Sequence, residues 1–179
     1  MRTLQVTFAL VIAISACATA PKSASGRSDL VTASEATLVR MRAKDPALVG
    51  LLATSAGYAV FPEIGKGGLL VGAAYGRGVL YQNGRRIGFV DLNQGSLGAQ
   101  LGAQTFTELI VFRDRFAIEK LKAGEFSLSG NASAVILAEG AAATAEFTQQ
   151  GVAVFVEPRG GAMVEVSVSG QEINFVPAG

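Results

Sequence analysis

Gly65-Lys66-Gly67-Gly68-Leu69-Leu70-Val71-Gly72-Ala73-Ala74-Tyr75-Gly76-Arg77-Gly78-Val79-Leu80-Tyr81 is the run on which the fold turns. Read with a period of two, its odd positions carry Leu69, Val71, Ala73, Tyr75, Arg77, Val79 and Tyr81. Its even positions carry Gly68, Leu70, Gly72, Ala74, Gly76, Gly78 and Leu80. One face therefore has side chains and the other is nearly bare backbone. Glycines four apart also suit the seam of a membrane helix, but the run is too short to span a bilayer and Arg77 interrupts it. Gln82-Asn83-Gly84-Arg85 follows directly, and Asn-Gly between apolar runs is the strongest short-range hairpin signal. Glycine along one face of a strand marks bending or the close approach of another backbone. The expected centre of the fold, Gly57 to Phe112, is thus a bent, partly closed antiparallel sheet.

Working outward, Tyr58-Ala59-Val60-Phe61 reads as a short strand ended by Pro62. Arg86 to Asp91 is the hairpin partner, with a turn at Asn93-Gln94-Gly95. Leu97, Ala99, Leu101 and Ala103 alternate with small or polar residues as a further strand, and Phe106 to Phe112 continues the sheet. Two helices are expected before it. The first is capped by Ser28 and runs to about Arg42. The second is opened by Asp45-Pro46 and stopped by Gly57. One more helix follows the sheet's first half, capped by Asp114 with Phe116, Ala117 and Leu121 inward and Gly124 as its stop. Phe126 to Leu128, Ser133 to Leu137, Val152 to Val156, Met163 to Val168 and Glu172 to Val176 read as strands, with turns at Pro158-Arg159-Gly160-Gly161 and Ser169-Gly170. Ala141 to Ala145 fits helix or strand equally well. The expected class is α+β, with two N-terminal helices and one helix in the second half.

At 179 residues, half of them hydrophobic, the chain can bury one good core. Arg2 is the only charge before Cys17, so a chain cleaved there keeps 14 of its 15 basic residues against 14 acidic ones. That balance provides no general attraction to nucleic acid. Histidine is absent and Cys17 is the sole cysteine. Serine–histidine triads, thiol–imidazole pairs, an intrachain disulfide and the usual zinc sites are therefore excluded. Gly65-Lys66-Gly67 is no phosphate loop, because no Ser or Thr follows the lysine, and Leu70 breaks the dinucleotide pattern. Gln94-Gly95-Ser96-Leu97-Gly98 has no base to make a nucleophile elbow. Glu63, Asp91 and Glu108 read as isolated, solvated acids. No catalytic residue, metal or cofactor is expected.

Arg2, the apolar run Val6 to Ile14, and Ile14-Ser15-Ala16-Cys17 resemble a bacterial lipoprotein signal, an ordinary secretory signal with an incidental cysteine after Ala16 being the competing reading. The expected organisation is a signal peptide over 1–16, lipidated Cys17 and a flexible tether over 17–27, and a domain over 28–179. Ala18 after the cysteine suggests the outer membrane by analogy with other lipoproteins, facing the periplasm. Lys66, Arg77, Arg85 and Arg86 lie on or beside the hairpin and are the candidate contacts for anionic lipid headgroups; edge-strand charge that discourages aggregation is the competing reading. Arg113, Arg115, Lys120 and Lys122 form a further basic group that could join that rim.

Tyr58-Ala59-Val60-Phe61-Pro62-Glu63, the run Gly67 to Tyr81, the block Ser96 to Gln104 and the close Gly161 to Gln171 together resemble the SYLF lipid-binding domain family. The resemblance covers nearly everything after about Thr54. It implies a lipid- or membrane-surface-binding domain with no catalytic residues to carry over. The actin and phosphoinositide partners of eukaryotic members are not carried over either. The expected partner is a membrane lipid, with anionic headgroups the first candidates. A structural or envelope-protein interaction module of the outer membrane is the alternative.

Overall fold

The structure, a computed structural model, describes residues 21, 23–68, 71–97, 104–128, 134–160, 168 and 170–178. Cys17 with its signal segment, residues 98–103 of the alternating block, and residues 163–167 and 169 of the expected Met163–Val168 strand and the turn after it lie outside the described residues.

Among the described residues the fold is α+β, with three helices and an eight-stranded, curled half-barrel sheet. Helices α1 (Ala24–Lys44) and α2 (Ala47–Thr54) lead into β1 (Gly57–Gly68), β2 (Val71–Gln82), β3 (Arg85–Leu97) and β4 (Gln104–Phe112). Helix α3 (Arg115–Lys122), β5 (Ser127–Leu128), β6 (Ala134–Ile136), a 3-10 turn (Ala141–Ala143), β7 (Val152–Gly160) and β8 (Gln171–Pro177) complete it. Spatial order is β5-β8-β3-β2-β1-β4-β7-β6, antiparallel throughout except for the parallel β6–β7 edge.

The quoted run forms two strands rather than one. Gly65 to Gly68 end β1, and the chain reverses before Val71, with Gly68 opposite Gly72. The period of two persists on both sides of the reversal, so alternation alone could not reveal it. The Asn83-Gly84 hairpin forms as expected: Gln82 faces Arg85, and the two loop residues have φ of 51° and 72°, the left-handed pair that such a turn requires.

Pro62 does not end its strand. It sits in a bulge where the registers to β2 and β4 both shift, and there its missing N–H leaves no gap in the ladder. The carbonyl of Pro62 accepts from Thr107 Oγ1 at 3.0 Å and from Arg159 Nη1 at 3.2 Å. The extra residue also reverses which side chains point which way. Ala59 and Phe61 face the same core as Ile64, whereas Tyr58 and Val60 face the opposite one.

Those two cores lie on opposite faces of the sheet. The inner one packs Phe61, Ile64, Phe106, Ile110, Phe112, Val154 and Val156 against Ala117, Ile118 and Leu121 of α3. The outer one packs Val60, Val79, Tyr81, Leu109 and Phe155 under Leu38, Met41, Leu48 and Leu52 of the N-terminal helices. Each fully buried Phe, Leu or Val side chain contributes about 1.5–3 kcal/mol. The even face of β2 turns inward, and its glycines meet β1: a Cβ on Gly76 would lie 2.5 Å from Ile64 Cγ1, and one on Gly78 2.5 Å from the Val60 carbonyl. The curl shows in one bond: Gln171 Nε2 of β8 donates to Glu108 Oε2 of β4 at 2.9 Å. Four strand spacings would separate these strands by about 19 Å in a flat sheet.

Several local expectations shift. Helix α1 starts at Ala24 with Ser23 as its cap, accepting from Gly26 N, so residues 24–27 are helix rather than tether. Its buried positions, Ser34, Thr37, Leu38 and Met41, keep helical spacing. Gly57 opens β1 instead of stopping α2, which ends at Thr54. Asp45 does cap α2, accepting from Ala47 N, and it also accepts from Gly140 N and Ala142 N, tying the 3-10 turn to the helix. Asn93-Gln94-Gly95 lies within β3, and Pro158 to Gly160 within β7, because neighbouring strands pair them. In α3 the cap Asp114 and the stop Gly124, at φ 74°, are as expected. Phe116, however, is 68% exposed and Ile118 takes the inward place. The inward face is centred on 117, 118 and 121, and Phe116 lies roughly 150° round the helix from it. Glu108 and Asp91 are not solvated acids. Both are buried, because the strand alternation that carries them is clamped between neighbouring strands.

Candidate functional site

The four cations singled out in the sequence do not form one patch. Arg85 and Arg86 stand at the hairpin end, whereas Arg77 lies about 17 Å and the level of Lys66 about 27 Å along the strands. The Pro62 bulge also separates them by face. Lys66 is opposite Ala74 and so shares the inner face, whereas Arg77 is opposite Glu63 and Asp91 on the outer one. Arg77 is engaged locally: its Nε donates to Tyr75 Oη, and its guanidinium lies 5.5 Å from that ring's centroid. With an acid opposite it on each neighbouring strand, Arg77 is poorly placed to hold an anion. Arg85 pairs with Gln82, whose Oε1 accepts from Lys122 Nζ at 3.1 Å, so one cation of the α3 group does reach the hairpin.

Arg86 is different. A second register shift, between Leu80 and Tyr81, turns it to the outer face opposite Tyr81. There its guanidinium stacks over buried Phe89 at 5.8 Å, and Arg27 from the second turn of α1 stacks over the same ring at 5.5 Å. Arg27 is held in place because its Nε donates to the Pro21 carbonyl at 2.9 Å. The two arginines and Phe89 line an open cavity of about 500 Å³ with Ala24, Ser28, Val31, Thr32 and Ala178. Among the described residues no acidic side chain lines it. Two guanidinium groups over one ring in a shared cavity offer forked donors to an anion.

A second depression, about 430 Å³, lies between α3 and the segments 125–127 and 149–151. Exposed Phe116 stands on its wall, with Lys120 Nζ 4.6 Å from the ring centroid. Here the charges are mixed: Arg113 and Lys120 share the lining with Asp114 and Glu125. Among the described residues no cluster could hold a metal ion, and no helix is long and apolar enough to cross a membrane.

Sequence reasoning flagged Arg86 but missed its partner Arg27, because the helix start was placed after it. The available signal was Ser23, three residues before Gly26, a cap as good as Ser28. No protein-family model matches this chain, and no curated protein matches it.

Proposed function

We propose that this is a lipid-binding domain of an exported, lipid-anchored envelope protein, in which the Arg27–Arg86–Phe89 cavity receives an anionic headgroup. The carrying observation is that cavity: two arginines, hydroxyl-bearing Ser28 and Thr32, apolar walls, and no acid among the described residues that line it. The resemblance of the sequence to the SYLF family supports the same reading. So does the anchor, if Cys17 is lipidated. With α1 starting at Ala24, only five residues lie between Cys17 and its cap Ser23, six peptide steps with a reach of about 20 Å. A tether that short keeps the first turns of α1, and Arg27 with them, beside the leaflet that holds the acyl chains.

The test uses residues 18–179, so that the acyl anchor cannot mimic binding. The domain should prefer anionic to zwitterionic vesicles, and added salt should weaken that preference. Basic residues at an anionic surface contribute about 1 kcal/mol each, so Arg27→Ala with Arg86→Ala should weaken binding roughly tenfold or more. Arg77→Ala, whose guanidinium is engaged with Tyr75, should change it little. Equal affinity for the two kinds of vesicle would refute the headgroup site.

The alternative, an interaction module of the outer membrane, draws on a different observation. Exposed Phe116 beside a cleft of mixed charge is the chemistry of a protein contact rather than of an anionic surface. A photo-crosslinker placed at residue 116 that captured one envelope protein reproducibly, in a domain indifferent to lipid, would favour it.

A further inference from the structure

Strand alternation carries Phe106, Glu108, Ile110 and Phe112 into the inner core, and Glu108 arrives there fully buried between Phe61 of β1 and Val156 of β7. Gln171, also fully buried, reaches it from β8 through its Nε2. Two atoms of this pair remain without a hydrogen-bond partner: Glu108 Oε1 and Gln171 Oε1. A carboxylate and an amide oxygen are both acceptors, so while Glu108 is ionised neither can satisfy the other. A proton on Glu108 Oε1 changes that. The acid then donates to Gln171 Oε1 while Gln171 Nε2 donates to Glu108 Oε2, closing a ring of two hydrogen bonds that satisfies both oxygens.

The surroundings favour the neutral form. The side chains facing this space are Ala59, Phe61 and Ile64 from β1, Leu92 and Gln94 from β3, Val154 and Val156 from β7, Ile173 from β8, and Ala117, Ile118 and Leu121 from α3. None of them carries a charge. The charged side chains that the described strands direct to this face are Lys66, opposite Gln104 and about 13 Å along β4 from Glu108, and Arg85, opposite Gln82 at the hairpin end and level with Phe112, a similar distance the other way. Burial pushes the Glu108 carboxyl up to about 8, against the smaller downward pull of the Gln171 hydrogen bond.

We propose that Glu108 carries a proton in the folded protein and forms a carboxylic acid–amide ring with Gln171, a clasp through the concave face that ties β4 to β8 and loosens when the proton leaves to solvent. The clasp is independent of any lipid. It fixes the curvature of the sheet from within, and deprotonation both removes one of its two hydrogen bonds and leaves a charge in an apolar core.

The full chain tests it by denaturant unfolding across pH. A carboxyl whose folded pKa is raised gives its stabilisation in full below the unfolded value near 4.5 and loses it as pH rises toward about 8. The folding equilibrium constant of the wild type should therefore fall about tenfold per pH unit in that window relative to Glu108→Gln. The variant keeps both hydrogen bonds as an amide–amide pair and has no proton to lose. A wild-type-to-variant difference that stays flat from about pH 5 to 9 overturns the proposal. If the variant fails to fold, the carbon-13 resonance of the wild-type Glu108 carboxyl decides: a titration well above the usual carboxylate range supports the clasp, and an ionised shift throughout overturns it.

Discussion

Gly78 and Gly95 show how much a residue's meaning depends on what approaches it. Both are strand glycines in the same meander. A Cβ at Gly78 would sit 2.5 Å from the Val60 carbonyl and 2.8 Å from Phe61 Cδ1, whereas one at Gly95 would meet nothing within 4 Å. A backbone carbonyl cannot swing aside as a flexible side chain can. Gly78→Ala should therefore destabilise the protein by about 1–3 kcal/mol in denaturant unfolding. Gly95→Ala should be neutral or slightly stabilising, since alanine loses less backbone entropy than glycine. The bare face was legible in the sequence, because the glycines fall on alternate positions. Which of them touch neighbouring backbone was not, because that depends on β1, whose parity changes at Pro62. The same blind spot put Lys66 and Arg77 in one imagined rim when the bulge sends them to opposite faces.

At the scale of elements, α1 is held on the sheet by charge as well as by its apolar stripe. Arg40 Nε and Lys44 Nζ lie 3.0 and 3.3 Å from the carboxylate of Glu157 on β7, and Arg40 Nη2 reaches Thr107 on β4 at 3.3 Å. Burial pushes the Glu157 carboxyl up, but its bonds to Arg40 and Lys44 outweigh that and the net shift is downward. A depressed carboxyl stabilises the fold above its unfolded value and loses that contribution as pH falls through the folded one. Acidification below about pH 4.5 should therefore loosen α1 in the wild type, seen as faster amide exchange along the helix. Glu157→Gln should be weaker at neutral pH and show less of that acid response. The helix and its approximate end were readable in the sequence. The bond to Glu157 was not, because 117 residues separate Arg40 from its partner.

Over the whole molecule, the strand order sets which parts depend on which. The two hairpins β1–β2 and β2–β3 form from neighbouring sequence, β4 joins the far side of β1, and β3 waits for β8 at residues 171–177. Sequence reading found nearly all the strands because each carries its own alternation. It could not find their order, which depends on pairings between distant segments. The α+β class followed from counting elements, whereas the joining of α1 to the hairpin at the Arg27–Arg86 cavity followed from none of them singly.

Synthesis runs from the N-terminus, so the chain passes through a period in which β3 is made and its pairing partner is not. During that interval Gly88 to Gln94 offer an open row of N–H and C=O groups beside Phe89, Val90 and Leu92, a template for another copy's strand. A chain ending at residue 168 makes that interval permanent. It should appear in inclusion bodies or bind an amyloid dye, and supplying residues 169–179 as a separate peptide should restore a soluble, correctly paired sheet. Residues 171–177 thus act as the molecule's own chaperone, sealing the edge on which self-association would otherwise begin.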